Sequence, residues 1–476
     1  MKLQPKADQS GLARNVYDDE PTPQLLEFMT QGWGRREIDS TPIDGGPRFR
    51  ARRVALSRRF PSDVLVIPTN AERVRSNDTH FRFRPGTEFY YLTGCTVPRC
   101  LLVMTPRDGG HDETLYFEGS FGRETAQFFT DRMKGELWVG PRLNIEEAAQ
   151  RYGIPTRHAA DAPASIASLV ERFGTTRVLR GFDPAVDALA RESAGDRELA
   201  TFLSEMRLIK DDYEIAQLRA AIASTKRGFD DVMHALGSAK SERYVEGVFN
   251  LRARLEGNDV GYGTIAASGR HACVLHWKDN DGALHGDDLL LLDAGVETHS
   301  LYTADVTRTV PVGGRFSPEQ RNIYELVLAA QDAALRACVP GSDFLAPNEA
   351  AMNVVARGLE RLGILPMAAD EALRSENKFY RRYSLHNVSH MLGLDVHDCA
   401  KARQEAYKYG RLQPGMVLTI EPGIYLQPDD LTVPEPYRGI GVRIEDDVLV
   451  TKDGCDVLTA AFPRATADVE RWLSRP

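Results

Sequence analysis

What most limits this chain is a set of acids placed where short apolar runs stop. Asp293 follows Leu289-Leu290-Leu291-Leu292, and Glu421 follows Val417-Leu418-Thr419-Ile420. Glu445 ends Gly441-Val442-Arg443-Ile444-Glu445, and Asp305 opens Asp305-Val306-Thr307-Arg308-Thr309. Such runs read as strands, and an acid on an apolar strand is rarely buried unless paired or bound to a metal. Any one of these acids alone reads best as a solvated or salt-bridged strand end. Four of them, with His390 nearby, point to a cation that compensates their charge.

At 476 residues the chain exceeds the size of one core, which predicts two domains. With 42% apolar and 27% charged residues it reads as a folded globular protein. A net charge of -9 argues against nucleic acid or an anionic membrane as the main partner. The local arginines Arg48, Arg50, Arg52, Arg53, Arg58 and Arg59 form either a local basic patch or, at least as well, a solvated helix face. No stretch approaches the roughly 20 apolar residues of a membrane span. The polar start Met1-Lys2-Leu3-Gln4-Pro5-Lys6 lacks the apolar core of a secretory signal. Six cysteines without a C-x-x-C pair fit free thiols in a reducing cytoplasm.

Residues 1–45 read as an extension with one short helix around Leu25-Leu26-Glu27-Phe28-Met29. Residues 46–200 read as an α/β domain. A basic helix precedes the buried strand Asp63–Pro68. Phe89–Gly94, Cys100–Met104 and Leu115–Phe117 follow as further apolar segments. Helical patterns come at 145–152 and 165–172, then a strand at Arg177–Gly181. Residues 201–476 form the last domain. Asp211 with Glu214 predicts a capping box, Ser241 begins a second helix, and Ser317-Pro318-Glu319-Gln320 begins a third. Strands there lack intervening crossover helices, which favours antiparallel sheet.

Seven of the eleven histidines lie between 271 and 397, in the region of the acids. His386-Asn387-Val388-Ser389-His390 has H-x-x-x-H spacing without the zincin Glu. Extended, the two rings stand about 13 Å apart, so only one reaches a given ion. The alternation in Leu394-Asp395-Val396-His397 favours a strand. Arg443 and Glu445 share one side of their strand, where Arg443 orients a metal carboxylate, binds a substrate group or makes a simple salt bridge. Gly261-Tyr262-Gly263-Thr264 precedes a strand-like run, so dinucleotide binding is discounted. Oxygen ligands with one imidazole suit Mn²⁺ or a similar ion, and four carboxylates suit two. Two such ions sharing a water supply hydroxide near neutral pH, which is hydrolase chemistry.

These stretches resemble the pita-bread metallopeptidases, and most closely the aminopeptidase P (Xaa-Pro aminopeptidase) group. The likeness extends to Ser268-Gly269, His276-Trp277, Asp395–Asp398 and the lead-in Arg207-Leu208-Ile209-Lys210. It covers roughly 46–476. It implies an α+β fold, a curved antiparallel sheet covered by helices after a smaller α/β domain. It implies two metal ions: Asp293 on one, Asp305 and Glu445 bridging, His390 and Glu421 completing the other. Glu421 is also the implied general base, and a metal-bridging hydroxide attacks the Xaa-Pro bond. His276 and His397 are implied to stabilise the tetrahedral intermediate. His386 lines the proline side, supported by Arg443 and Tyr425. The implied substrates are peptides with proline second, and the implied assembly is a homodimer or homotetramer. The chain departs from the family in a loop one residue longer between Asp293 and Asp305, and in Asn387-Val388 where Gly-Leu or Gly-Ile is common.

Prolidase is the alternative within the fold. The 31 positions from His390 to Glu421 and the 24 from Glu421 to Glu445 are shorter than its insertions allow. Methionine aminopeptidase lacks a domain like 46–200. A non-peptidase binding protein or creatinase-like enzyme has lost ligands that this chain keeps.

Overall fold

Helix starts are written locally. Asp211 accepts from the Glu214 backbone N–H at 3.0 Å while the Glu214 carboxylate accepts from the Asp211 N–H, opening the helix Asp212–Leu236. Ser317 and Gln320 form the same box at Pro318–Ala337, with Pro318 in the first turn. Ser241 caps Glu242–Glu256 through the Tyr244 N–H. All three starts match the sequence reading.

The computed structural model describes residues 21–474 except Arg35 and Asp78. The chain divides into two units, Met1–Leu203 and Ser204–Pro476. The first twenty residues of the expected extension lie outside the described residues; its helix is present as Pro23–Met29, capped by Thr22. The first unit holds a five-stranded sheet. Its order is Thr156–His158, Gly110–Phe117, Leu101–Arg107, Val64–Pro68, Thr176–Val178. The inner pairs are antiparallel and the two outer pairs parallel. Of the three apolar segments after Pro68, two are strands. The first, Phe89–Gly94, falls in the helix Thr87–Thr93, whose seven residues are all buried.

In the second unit the strand pairs are antiparallel, as expected. Leu289–Ala294 lies between Val306–Pro311 and Ile265–Ser268, with Asp293 opposite Thr307 and Ile265. Asp446–Val450 lies between Val417–Ile420 and Cys455–Val457. Gly423–Tyr425 pairs with Gly441–Arg443. These strands, with Pro318–Ala337 and Ala346–Arg361, build one apolar core. The α+β architecture is that inferred from the resemblance.

Two buried polar side chains bind these layers. The guanidinium of Arg308 donates to Asp446 Oδ1 at 2.7 Å, the Glu445 carbonyl at 2.6 Å and the Thr307 carbonyl at 2.9 Å. Gln331, from Pro318–Ala337, donates to the Ile420 and Ile444 carbonyls at 3.1 Å each and to Asp446 Oδ2 at 2.9 Å. Ile420 and Ile444 each precede a candidate ligand, so both strand ends are fixed from behind.

Two strand readings fail. Leu394–His397 runs through bends, not a strand. The loop is closed by Asp398, whose backbone N–H reaches the Met391 carbonyl at 2.9 Å. The Asp398 carboxylate meets Arg207 Nε at 2.9 Å and Lys210 Nζ at 3.3 Å, all three buried. This ion triad outweighs a local alternation of side chains. His386–His390 is not a strand either: it bends at His386 and Val388. Both rings face Glu421, His386 Nδ1 at 3.7 Å and His390 Nε2 at 3.2 Å, so they do not stand about 13 Å apart as expected. The Glu421 N–H reaches the Val388 carbonyl at 2.8 Å, and the Thr419 N–H the His390 carbonyl at 2.9 Å.

Candidate metal centre

The second unit encloses a cavity of about 550 Å³. Its lining includes Asp293, Asp305, His390, Glu421 and Glu445, brought from five separate stretches of chain. His276, His386, His397 and Arg443 line it too. Tyr425 is buried behind them and is not in the lining.

His390 shows what the cluster is built to hold. Its Nδ1 stands 3.2 Å from the Met391 carbonyl and donates there, which leaves Nε2 to the acids. Nε2 faces Asp305 Oδ2 at 3.3 Å and Glu421 Oε1 at 3.2 Å. A lone pair facing two carboxylates needs a proton or a cation between them. Donor atoms of Asp305, His390 and Glu445 all lie within 4.8 Å of one another. That is close to the roughly 4 Å between opposite ligands of a small divalent ion.

The electrostatics agree. Burial pushes Asp305 up to about 6, the charges of Asp293 and Glu421 adding to it against the pull of His390. Burial also drives Glu445 well above the carboxylate range, reinforced by Asp305, Glu421 and Asp293. At Glu421 burial is outweighed by the His390 hydrogen bond and by the charges of His386, His390 and Arg443, which hold it at about 2. Burial lowers His390, but its hydrogen bonds to Asp305 and Glu421 raise it well above the ordinary imidazole value. Without a metal, a proton on His390 therefore supplies part of the missing positive charge. The donor set and its uncompensated charge fit divalent cations.

A surrounding network orients the acids. Arg443 Nη2 donates to Asp293 Oδ2 at 2.5 Å, its Nε to Thr307 Oγ1 at 3.0 Å and its Nη1 to Tyr425 Oη at 2.9 Å. Thr307 Oγ1 donates to Glu445 Oε2 at 2.6 Å. His386 Nδ1 donates to the Asn387 carbonyl, so its Nε2 accepts from Tyr425 Oη at 2.7 Å. Burial lowers both His386 and His397 below the ordinary imidazole value. His397 stands edge-on to His390, ring centres 4.4 Å apart.

Sequence reasoning missed Tyr262. Its Oη lies 2.7 Å from Asp293 Oδ1 and 2.5 Å from Asp305 Oδ1. The glycines around it read as a loop, and nothing local shows that a phenol from this loop joins two distant acids.

Comparison with known proteins places this arrangement. Residues 216–452 match the model of metallopeptidase family M24, and residues 49–177 match the aminopeptidase P N-terminal domain. Xaa-Pro aminopeptidase 1 of Streptomyces coelicolor is 49% identical over 475 residues, 98% of this chain and 94% of its own length. Xaa-Pro aminopeptidase of Escherichia coli is 33% identical over 89% of this chain and 97% of its own. The structure of aminopeptidase P from E. coli with the inhibitor Pro-Leu superposes with a TM-score of 0.82 at 30% identity. That match covers 91% of this chain and 99% of the other. A zinc-substituted form of the E. coli enzyme in complex with product gives the same TM-score at 31% identity, with the same coverage. The fold and the acid cluster define a metallopeptidase. The chain belongs to metallopeptidase family M24, with an aminopeptidase P N-terminal domain ahead of the catalytic one.

Proposed function

We propose that this metallopeptidase is a Xaa-Pro aminopeptidase, an exopeptidase that releases the first residue from peptides with proline second. The observation that carries the reading is the convergence of Asp305 and Glu421 on Nε2 of His390, with a Glu445 oxygen within 4.8 Å of the Asp305 and His390 donor atoms. Asp293, Asp305, His390, Glu421 and Glu445 would hold two divalent ions, Mn²⁺ in this reading. When bound, the ions supply Lewis acidity and make a water acidic enough to act near neutral pH. Glu421 is the proton acceptor. The site's charge holds it ionised and ready. His276 and His397 donate to the scissile carbonyl oxygen as charge develops on it. His386, steadied by Tyr425 and Arg443, lines the proline side.

Proline explains the design. Its nitrogen has no N–H and its φ is fixed, so a grip through that N–H is lost. A site that anchors the amino terminus and the carbonyl needs no such grip.

The same reading assigns 1–45 as an extension, 46–200 as the N-terminal domain and 201–476 as the catalytic domain. A homodimer or homotetramer is supported by apolar side chains exposed on the first unit. Phe28 is 79% exposed, with Leu25, Trp33, Leu137 and Trp138 also open. Among the described residues no helix is long and apolar enough to cross a membrane. The six free cysteines suit the cytoplasm, the proposed location.

The test is metal analysis of purified protein, followed by turnover of a tripeptide with proline second and of a bare Xaa-Pro dipeptide. Two equivalents of metal and cleavage of the tripeptide are expected. Cleavage of the dipeptide alone makes the enzyme a prolidase.

A further inference from the structure

The cavity contains one charged side chain that the cluster does not use. Arg443 is buried and committed to Asp293, Thr307 and Tyr425. Lys278 also lines the cavity but is exposed, and its ammonium has no acid partner among the described residues. Its aliphatic stem rests on the loop that carries Tyr262. A Cβ built on Gly263 would lie 3.7 Å from Lys278 Cδ.

Lys278 is held there by its neighbours. Trp277 turns away from the cavity, donating its indole N–H to Glu242 Oε2 at 2.8 Å and stacking on His271 with ring centres 3.9 Å apart. The residues on either side of Trp277, His276 and Lys278, face the cavity instead. Two residues on, buried Asn280 closes the segment. Its Oδ1 accepts from the Ala266 N–H and its Nδ2 donates to the Thr264 carbonyl, each at 2.9 Å. The cation is therefore positioned on a pinned segment, next to the group assigned to the scissile carbonyl.

Resting on the peptidase reading, we propose that Lys278 is a specificity residue that selects substrates presenting a carboxylate to this wall of the cavity. An ammonium with three donors and no internal acceptor binds such a group as a point charge. On a proline-second peptide the carboxylate has two sources: an acidic side chain on the first residue, or the free C-terminus of a short peptide. The remaining nearby walls, Ile265, Leu275 and Val396, are apolar and compete for neither.

The experiment compares metal-loaded wild-type enzyme with Lys278→Met, which keeps the stem, and Lys278→Glu, which reverses the charge. Substrates are Ala-Pro-Ala and Glu-Pro-Ala, each as free acid and as C-terminal amide. The readout is the ratio of KM values, acid against amide and glutamyl against alanyl, with kcat followed separately. Wild type is expected to favour the carboxylate in at least one ratio. That preference falls roughly two- to fivefold in Lys278→Met and reverses in Lys278→Glu, the scale of partly exposed charge pairs. A shift in the acid-to-amide ratio alone identifies the C-terminus as source; a shift in the glutamyl ratio alone identifies the first residue. Ratios that stay at wild-type values in both variants, while Ala-Pro-Ala is cleaved, overturn the assignment of Lys278 and leave the peptidase reading standing. Wild type that cleaves none of the four peptides overturns both.

Discussion

His390 and Tyr262 mark the two ways a residue enters this site. His390 is legible in the sequence, as is each acid, because each lies beside an apolar run whose burial needs explaining. Tyr262 is not, because its role is a contact spanning 31 positions to Asp293 and 43 to Asp305. The two differ in what their loss should do. Asp305→Ala removes one of the proposed metal ligands, so bound metal should drop and turnover should vanish. Metal content by mass spectrometry beside peptide cleavage checks this, and near-normal turnover with metal retained would defeat the assignment. Tyr262→Phe keeps all five ligands and removes only their orienting hydroxyl. Metal affinity should weaken about 10- to 100-fold, the usual cost of losing such a partner, as read by competition with a chelator. His276→Ala touches no ligand. It should lower kcat while metal stoichiometry stays at the wild-type value; equal loss of both would make His276 structural.

At the level of elements, legibility follows whether the signal is local. The boxes at Asp211 and Ser317 use side chains three positions apart, and the sequence shows both. Thr87–Thr93 is a helix buried all round, so it has no polar face and its 3.6-residue period is invisible. Leu394–His397 alternates like a strand, but its path is set by Asp398 meeting Arg207 and Lys210 from about 190 residues earlier. Arg308 is the clearest case of a fold-level role hidden beside a ligand motif. It lies three residues after Asp305, yet it is fully buried and joins one strand layer to the next through Asp446. Arg308→Ala takes the nearest cation from buried Asp446, which keeps Gln331, Thr459 and the more distant Arg464, and costs about 1–3 kcal/mol. Thermal unfolding should shift down markedly in that variant. If its midpoint matches wild type, the pair is not what joins the layers.

Across the whole molecule, the acids that make the site also strain it. Four carboxylates share one cavity, and Arg443 and His390 offset only part of their charge. Ligands that bind the folded state alone stabilise it by mass action, so chelation should lower the unfolding midpoint. The stripped protein should also show an inverted pH response. Asp305, lifted to about 6 by burial and by Asp293, and Glu445, lifted further, bind protons more tightly folded than unfolded. Their contribution is favourable at low pH and is lost as pH rises through about 6. Stripped protein is therefore expected to unfold at a higher temperature at pH 5.5 than at pH 7.5. Metal-loaded protein should do the reverse, because protons compete with the ions for the same oxygens. Calorimetric scans of both forms at the two pH values decide it. Parallel pH profiles would mean that the acids are already balanced within the chain, and the case for a dinuclear centre built from these five side chains would fall with them.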